Sequence, residues 1–241
     1  MSPDTEFIYP AQEIIIDSAG PNSELPGARV RISWPTFEGR DMVWYGNWTD
    51  WLGFFIPQAT EGFVGAYNHE TELGMARIFP WEEVPGVKLF AWGMESPYTS
   101  EYAVDGSEYF EMWVGPNRSF WSEDDNTLGP GESKAWTEYW YPFSSVDGLD
   151  SANRDAALSV QACEGSLHLG VGTTSYQEGT VILVVGGQEL YRRGVAVGPE
   201  SPHMHQLPLP SDIPQEATVS IVFEDPGGLV IAQHEAEIPL Q

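Results

Sequence analysis

The chain has 241 residues, 41% of them hydrophobic and 13% aromatic, enough apolar material for a packed core in one or two domains. Thirty-six acidic against ten basic side chains give a formal charge of −26, which repels nucleic-acid phosphates and anionic lipid surfaces and excludes both as partners. The longest apolar runs, such as VILVV at 181–185, are far shorter than the roughly 20 residues of a membrane-spanning helix.

The start, MSPDTEFIYPAQEIIID, lacks the basic n-region and long apolar h-region of a secretory signal. A single cysteine, Cys163, makes no internal disulfide and fits a reducing compartment or a protein large enough not to need one. A soluble protein, cytoplasmic by preference, is the expectation.

In chain order the first half offers short alternating or β-branched runs, EIIID, RVRISW, FVGAY, GVKLFAWG, YFEMWVG and AWTEYWY, each closed by Gly, Pro, Asp or Asn, which predict strands. The second half repeats the pattern with ALSVQAC, SLHLGV, GTVILVVGG, QELYRRGVAV, ATVSIVFED and GLVIAQHEAEI, the spacing of a small antiparallel sandwich. GGQ at 186–188 and DPGG at 225–228 read as hairpin turns. No stretch reads as a long amphipathic helix.

All ten tryptophans, eight of ten tyrosines and ten of eleven phenylalanines fall within residues 1–150. That break in composition predicts two domains, about 1–143 and 155–241, with the polar stretch 144–154 as a linker. Acidity is shared by both halves, so charge does not separate two functions.

The segment WYGNWTDWLGFF packs Trp48 among five other aromatic residues, a density suited to stacking on sugar rings as well as to a core. Glu111 is an acid inside the otherwise apolar run YFEMWVG. Alternation puts Tyr109, Glu111 and Trp113 on one face and Phe110, Met112 and Val114 on the other. A carboxylate among aromatics is desolvated unless a donor compensates, the setting of a general acid or base, and an ion pair with Arg77 or Arg118 is the competing reading.

His69, in the hairpin-like NHETELG, is the first half's only histidine and so its only imidazole acid. Arg77 and Lys88 offer donors to hydroxyls or a uronate carboxylate, or partners for nearby acids. Glu138 and Trp140 share a face by period two, as a second acid and platform. Glu123, Asp124 and Asp125 do not have the spacing of a calcium loop, and His203 and His205 have no third ligand in view. No metal and no cofactor is expected.

The runs DTEFIYPAQEI, GFVGAYNHETELGMARIFPWEEVPGVKLFAWG, YFEMWVG and LGPGESKAWTEYWYPF, in that order, resemble the later part of an aldose-epimerase-like domain family of unknown function. The family belongs to the galactose-mutarotase-like superfamily, and the resemblance covers about residues 4–143. It implies a β-supersandwich whose concave face binds carbohydrate. It also implies that Glu111 matches the base which takes the anomeric proton in the E-x-Q strand. Two departures stand out: the Gln of that motif is Trp113 here, and the mutarotase histidines come from strands upstream of this sequence. By resemblance the chain begins partway through the fold, so that other domains or chains would complete the sandwich.

The resulting expectation is an all-β protein, a mutarotase-like portion followed by a small immunoglobulin- or fibronectin-like sandwich. It would recognise carbohydrate and, if an enzyme, act on an anomeric centre by acid/base chemistry, or as a hydrolase or lyase. The candidates are Glu111 with His69 or Glu138 for catalysis, and Trp113, Trp48, Arg77, Lys88 and Trp140 for binding. The alternative is a non-catalytic sugar-binding or scaffolding module.

Overall fold

Two-residue alternation, punctuated by turn residues, produces strands along nearly the whole chain. The computed structural model describes every residue except 99–100, 102–106, 164, 211–213, 215 and 241. Two compact units result: Met1–Glu70 with Arg77–Tyr139, and Thr71–Ala76 with Trp140–Gln241. Among the described residues no helix is long and apolar enough to cross a membrane.

The first unit contains β1 (Thr5–Ile8), β2 (Glu13–Ala19), β3 (Arg31–Ser33), a short pair β4 (Thr36–Phe37) and β5 (Arg40–Asp41), β6 (Leu52–Ile56), β7 (Phe63–Asn68), the end of β8 (Leu73–Ile78), β9 (Gly86–Ala91) and β10 (Phe110–Gly115). Its main sheet runs β10-β9-β6-β2-β3 and is antiparallel throughout. Strands β1 and β7 pair in a second sheet. The aromatic core lies between the two sheets. Phe7 of β1 meets Trp48 at 5.1 Å and Phe110 at 5.5 Å between ring centroids, and Phe54 of β6 meets Trp34 at 5.0 Å.

The second unit contains the start of β8 and β11 (Tyr139–Ser144), which lie side by side, then β12 (Ser151–Ala152), β13 (Ala156–Cys163), β14 (Ser166–Thr173), β15 (Gln177–Val185), β16 (Gln188–Val197), β17 (His203–Pro208), β18 (Glu216–Glu224) and β19 (Val230–Pro239). Two four-stranded sheets, β12-β13-β14-β17 and β16-β15-β18-β19, form a sandwich. Leucine, valine, isoleucine and alanine fill it, and among the described residues Phe223 is the one aromatic in its fully buried cluster. The β15–β16 turn places Gly186 at φ 56° and Gly187 at φ 82°, left-handed values that match the strand twist of a two-residue hairpin. At 225–228 the Gly228 N–H donates to the Asp225 carbonyl at 2.9 Å and closes the second expected turn.

Two local expectations are corrected. The AWTEYWY run becomes strand only from Tyr139. The stretch expected as a linker is packed: Val146 is fully buried, Leu149 is 4% exposed, and the Asp150 carboxylate accepts the Val160 N–H at 2.7 Å. Its apolar residues are too few to read as periodic but are enough to seat the segment on the second sandwich.

Candidate functional site

The five-stranded sheet has a core face and an open face, and register decides which side chain goes where. Glu111 stands opposite Phe90, Trp113 opposite Lys88, Lys88 opposite Phe55, and Phe90 opposite Gly53. Met112, Leu89, Phe54 and Ile16 alternate with them and point into the core. The open face therefore collects Glu111, Trp113, Lys88, Phe90, Phe55 and Gly53. A bulge in β2 between Ile16 and Ser18 adds both Asp17 and Ser18, because the extra residue lets two neighbours share a side.

These residues, with Phe120 from the loop after β10, line a cavity of about 270 Å³. That lies below the drug-sized range of about 300–1,000 Å³ and suits a single ring-sized ligand. Phe120 stands edge-on to Phe55 at 5.2 Å and to Trp113 at 5.0 Å. At Gly53 a Cβ would lie 3.1 Å from the Phe90 ring and 3.2 Å from the Ser18 hydroxyl, so glycine keeps the floor open.

The polar groups of the cavity differ in their surroundings. Burial raises the Asp17 carboxyl above its ordinary value. Glu111 accepts a hydrogen bond from the Tyr109 hydroxyl at 2.6 Å, and this bond, with burial and the charge of Glu111, pushes that phenol up to about 12. Lys88 is 6% exposed and donates from Nζ to the Asn117 carbonyl at 2.7 Å and the Gly86 carbonyl at 3.2 Å. Burial first, then the charge of Arg77, lowers its ammonium to about 8, while Asp124 opposes the shift.

Of the residues picked out from sequence, the structure brings Glu111, Trp113 and Lys88 to one cavity. The others lie elsewhere. His69 pairs through Nε2 with Glu6 at 3.0 Å and packs on Trp44 and Tyr67, in the hairpin that follows β7. Arg77 and Glu138 hold each other, Nε to Oε2 at 2.7 Å, and Glu138 also accepts the Trp136 indole N–H at 2.6 Å. Trp48, 2% exposed, is core and donates its indole N–H to the Met42 carbonyl at 2.8 Å, so it offers no face to a ligand. Trp140 is half exposed on β11 of the second unit.

Asp17, Ser18, Phe90 and Phe120 are site residues that sequence reasoning passed over. Only Asp17 carried a signal, an acid ending the apolar run EIII. The remaining polar candidates are engaged or dispersed. Glu123 pairs with Arg29, Asp124 accepts the Ser119 hydroxyl, and His203 and His205 stack on Tyr191. Among the described residues no group of three or more His, Cys, Asp or Glu side chains is placed to hold a metal ion.

Fold and site define an all-β protein of two sandwich units, the first with a small aromatic and acidic cavity on the open face of its main sheet. Residues 1–143, more than half of the chain, match the model of a domain of unknown function, DUF5107, and the chain belongs to that family. Residues 151–232 match the model for the second domain of YphG-like proteins. Among solved structures, a TPR-domain containing protein from Parabacteroides distasonis ATCC 8503 is 26% identical over 58% of this chain and 23% of its own, with a TM-score of 0.44. An endonuclease/exonuclease/phosphatase from Beutenbergia cavernae DSM 12333 is 16% identical over 35% of this chain and 24% of its own, with a TM-score of 0.27. The chain thus spans about a quarter of the length of these solved proteins.

Proposed function

We propose that the open-face cavity of the first unit is a carbohydrate site of the galactose-mutarotase-like kind, with Glu111 as the base at the anomeric centre. The observation that carries this reading is the meeting of Glu111 and Trp113, from one strand, with Lys88, Phe90 and Asp17 from its neighbours. Aromatic faces pack against the C–H side of a pyranose, while carboxylates and an ammonium take its hydroxyls. In this reading Glu111 removes the proton of the anomeric hydroxyl. Asp17, the second carboxyl of the cavity, is the partner that relays a proton to the ring oxygen as the ring opens.

The test is titration against neutral and uronic mono- and oligosaccharides, followed by tryptophan fluorescence and, for any binder, by polarimetry. Glu111→Gln is expected to keep binding and slow mutarotation by about 10²–10⁴-fold, whereas Trp113→Ala is expected to weaken binding itself. Unchanged turnover in Glu111→Gln would remove Glu111 from the mechanism. A sugar-binding module without turnover is the second reading, favoured by the engagement of His69 with Glu6 and of Glu138 with Arg77. Binding with no mutarotation would select it, and no binding across the panel would discard both.

A further inference from the structure

We propose that Lys88 is a carbonyl-capturing amine, which forms an imine with small aldehydes entering the open-face cavity. Lys88 is 6% exposed, yet it forms part of the cavity wall. Among the described residues no carboxylate lies within ion-pairing distance of it, and its hydrogen-bond partners are two backbone carbonyls. The Phe55 and Phe120 ring centroids lie 5.8 Å and 5.4 Å away. A lysine desolvated in an apolar pocket without an acid partner holds a larger share of free amine at neutral pH and is the kind that forms Schiff bases. Asp124, the acid whose charge reaches Lys88, is itself engaged by the Ser119 hydroxyl.

The step balances with groups already in the cavity. Lys88 releases its bond to Asn117 and loses a proton to a carboxylate or to water. The free amine then attacks the carbonyl carbon, a C–N bond forms as the C=O π bond breaks, and the Asp17 carboxylate relays a proton from the attacking nitrogen to the oxygen. Asp17 then relays the remaining N–H proton to the hydroxyl, and the C–O bond breaks as water leaves and the C=N bond of the imine forms. Amine and aldehyde thus give imine and water, with no oxidant or reductant. Open-chain aldoses are members of this substrate class, but the capture does not require that the cavity bind a sugar ring.

The sequence supplies its own reference, because the chain has two lysines and Lys134 is exposed. Folded protein is incubated at neutral pH with glyceraldehyde and sodium cyanoborohydride, which reduces the imine to a stable secondary amine, and the products are mapped by peptide mass spectrometry. Lys88 is expected to be labelled on the order of 10-fold faster than Lys134, with the two rates converging once the chain is unfolded in urea. Lys88→Arg, which keeps donors for the Asn117 and Gly86 carbonyls, is expected to abolish the fast site only. Labelling of Lys134 as fast as or faster than Lys88 in the folded protein would overturn the proposal, and that result is read on the native chain whether or not the variant folds. Failure of saccharide titration with fast Lys88 capture would count against the carbohydrate reading alone.

Discussion

Lys88 carries a stability signature that can be read without any ligand. Its ammonium titrates at about 8 in the folded chain against an ordinary 10.5. Between those values the unfolded chain holds a proton that the folded one has released, so this residue's contribution to stability rises with pH across that window and is least favourable below it. Urea denaturation of the native chain and of Lys88→Met at pH 7 and pH 9.5 is expected to show the difference moving in favour of the native chain at the higher pH. A flat difference would mean that the two carbonyl hydrogen bonds fully offset the burial of the charge. Single residues also show where reading stops being local. Trp48 and Trp113 each lie two residues from an acid, yet one is core and the other is 42% exposed, because burial depends on what packs from across the sandwich. The pairings that draw off His69 and Glu138 join positions 63 and 61 residues apart, a separation at which no sequence period operates.

At the scale of the element, both β10 and β2 were legible as strands, but the bulge in β2 was not. A strand's period of two is fixed by its backbone, so YFEMWVG alone is enough to put Glu111 and Trp113 on one side and Met112 on the other. The bulge in β2 breaks that period, and Asp17 and Ser18 both reach the cavity where strict alternation would have sent one of them away. Turns were legible for the same local reason, since paired glycines at 186 and 187 supply left-handed backbone directly. The cavity's dependence on the absent side chain of β6 gives a sharp test. Gly53→Val would press on Phe90 and the Ser18 hydroxyl, costing about 1–3 kcal/mol by overpacking. Urea denaturation checks the cost, and any saccharide response of tryptophan fluorescence should vanish with it. A response that survives would place the ligand elsewhere.

For the molecule as a whole, composition said more about material than about arrangement. The concentration of aromatics in the first 150 residues announced a different kind of core there, and the second sandwich duly buries Phe223 among aliphatics. Sheet order could not be read in the same way, since it rests on long-range pairings such as β2 with β6 and β14 with β17. The charge of −26 acts over all of it. Self-repulsion of that size disfavours the compact state and is screened by salt, with a Debye length falling from about 30 Å at 0.01 M to about 3 Å at 1 M. The melting temperature is therefore expected to rise with sodium chloride over that range, measured by circular dichroism. A melting temperature that falls would show that attractive pairs such as Arg77–Glu138 outweigh the repulsion.

The bond from Arg77 to the carbonyl of Met112, at 2.6 Å, has a meaning beyond the ion pair it accompanies. Among the described residues strand β10 ends its sheet, and its bonded pairs with β9 fall at Tyr109, Glu111 and Trp113, so the peptide of Met112 faces outward. A bare outer edge is a template on which a foreign strand can grow. The guanidinium occupies the acceptor at the middle of that edge, and Glu138 holds the guanidinium in place. Arg77 thus caps one acceptor of that edge, and its removal is expected to leave the edge open to strand addition. Arg77→Ala should leave circular dichroism at low concentration unchanged while light scattering grows with concentration and time, and a variant that stays monodisperse would show the edge to be guarded by other means.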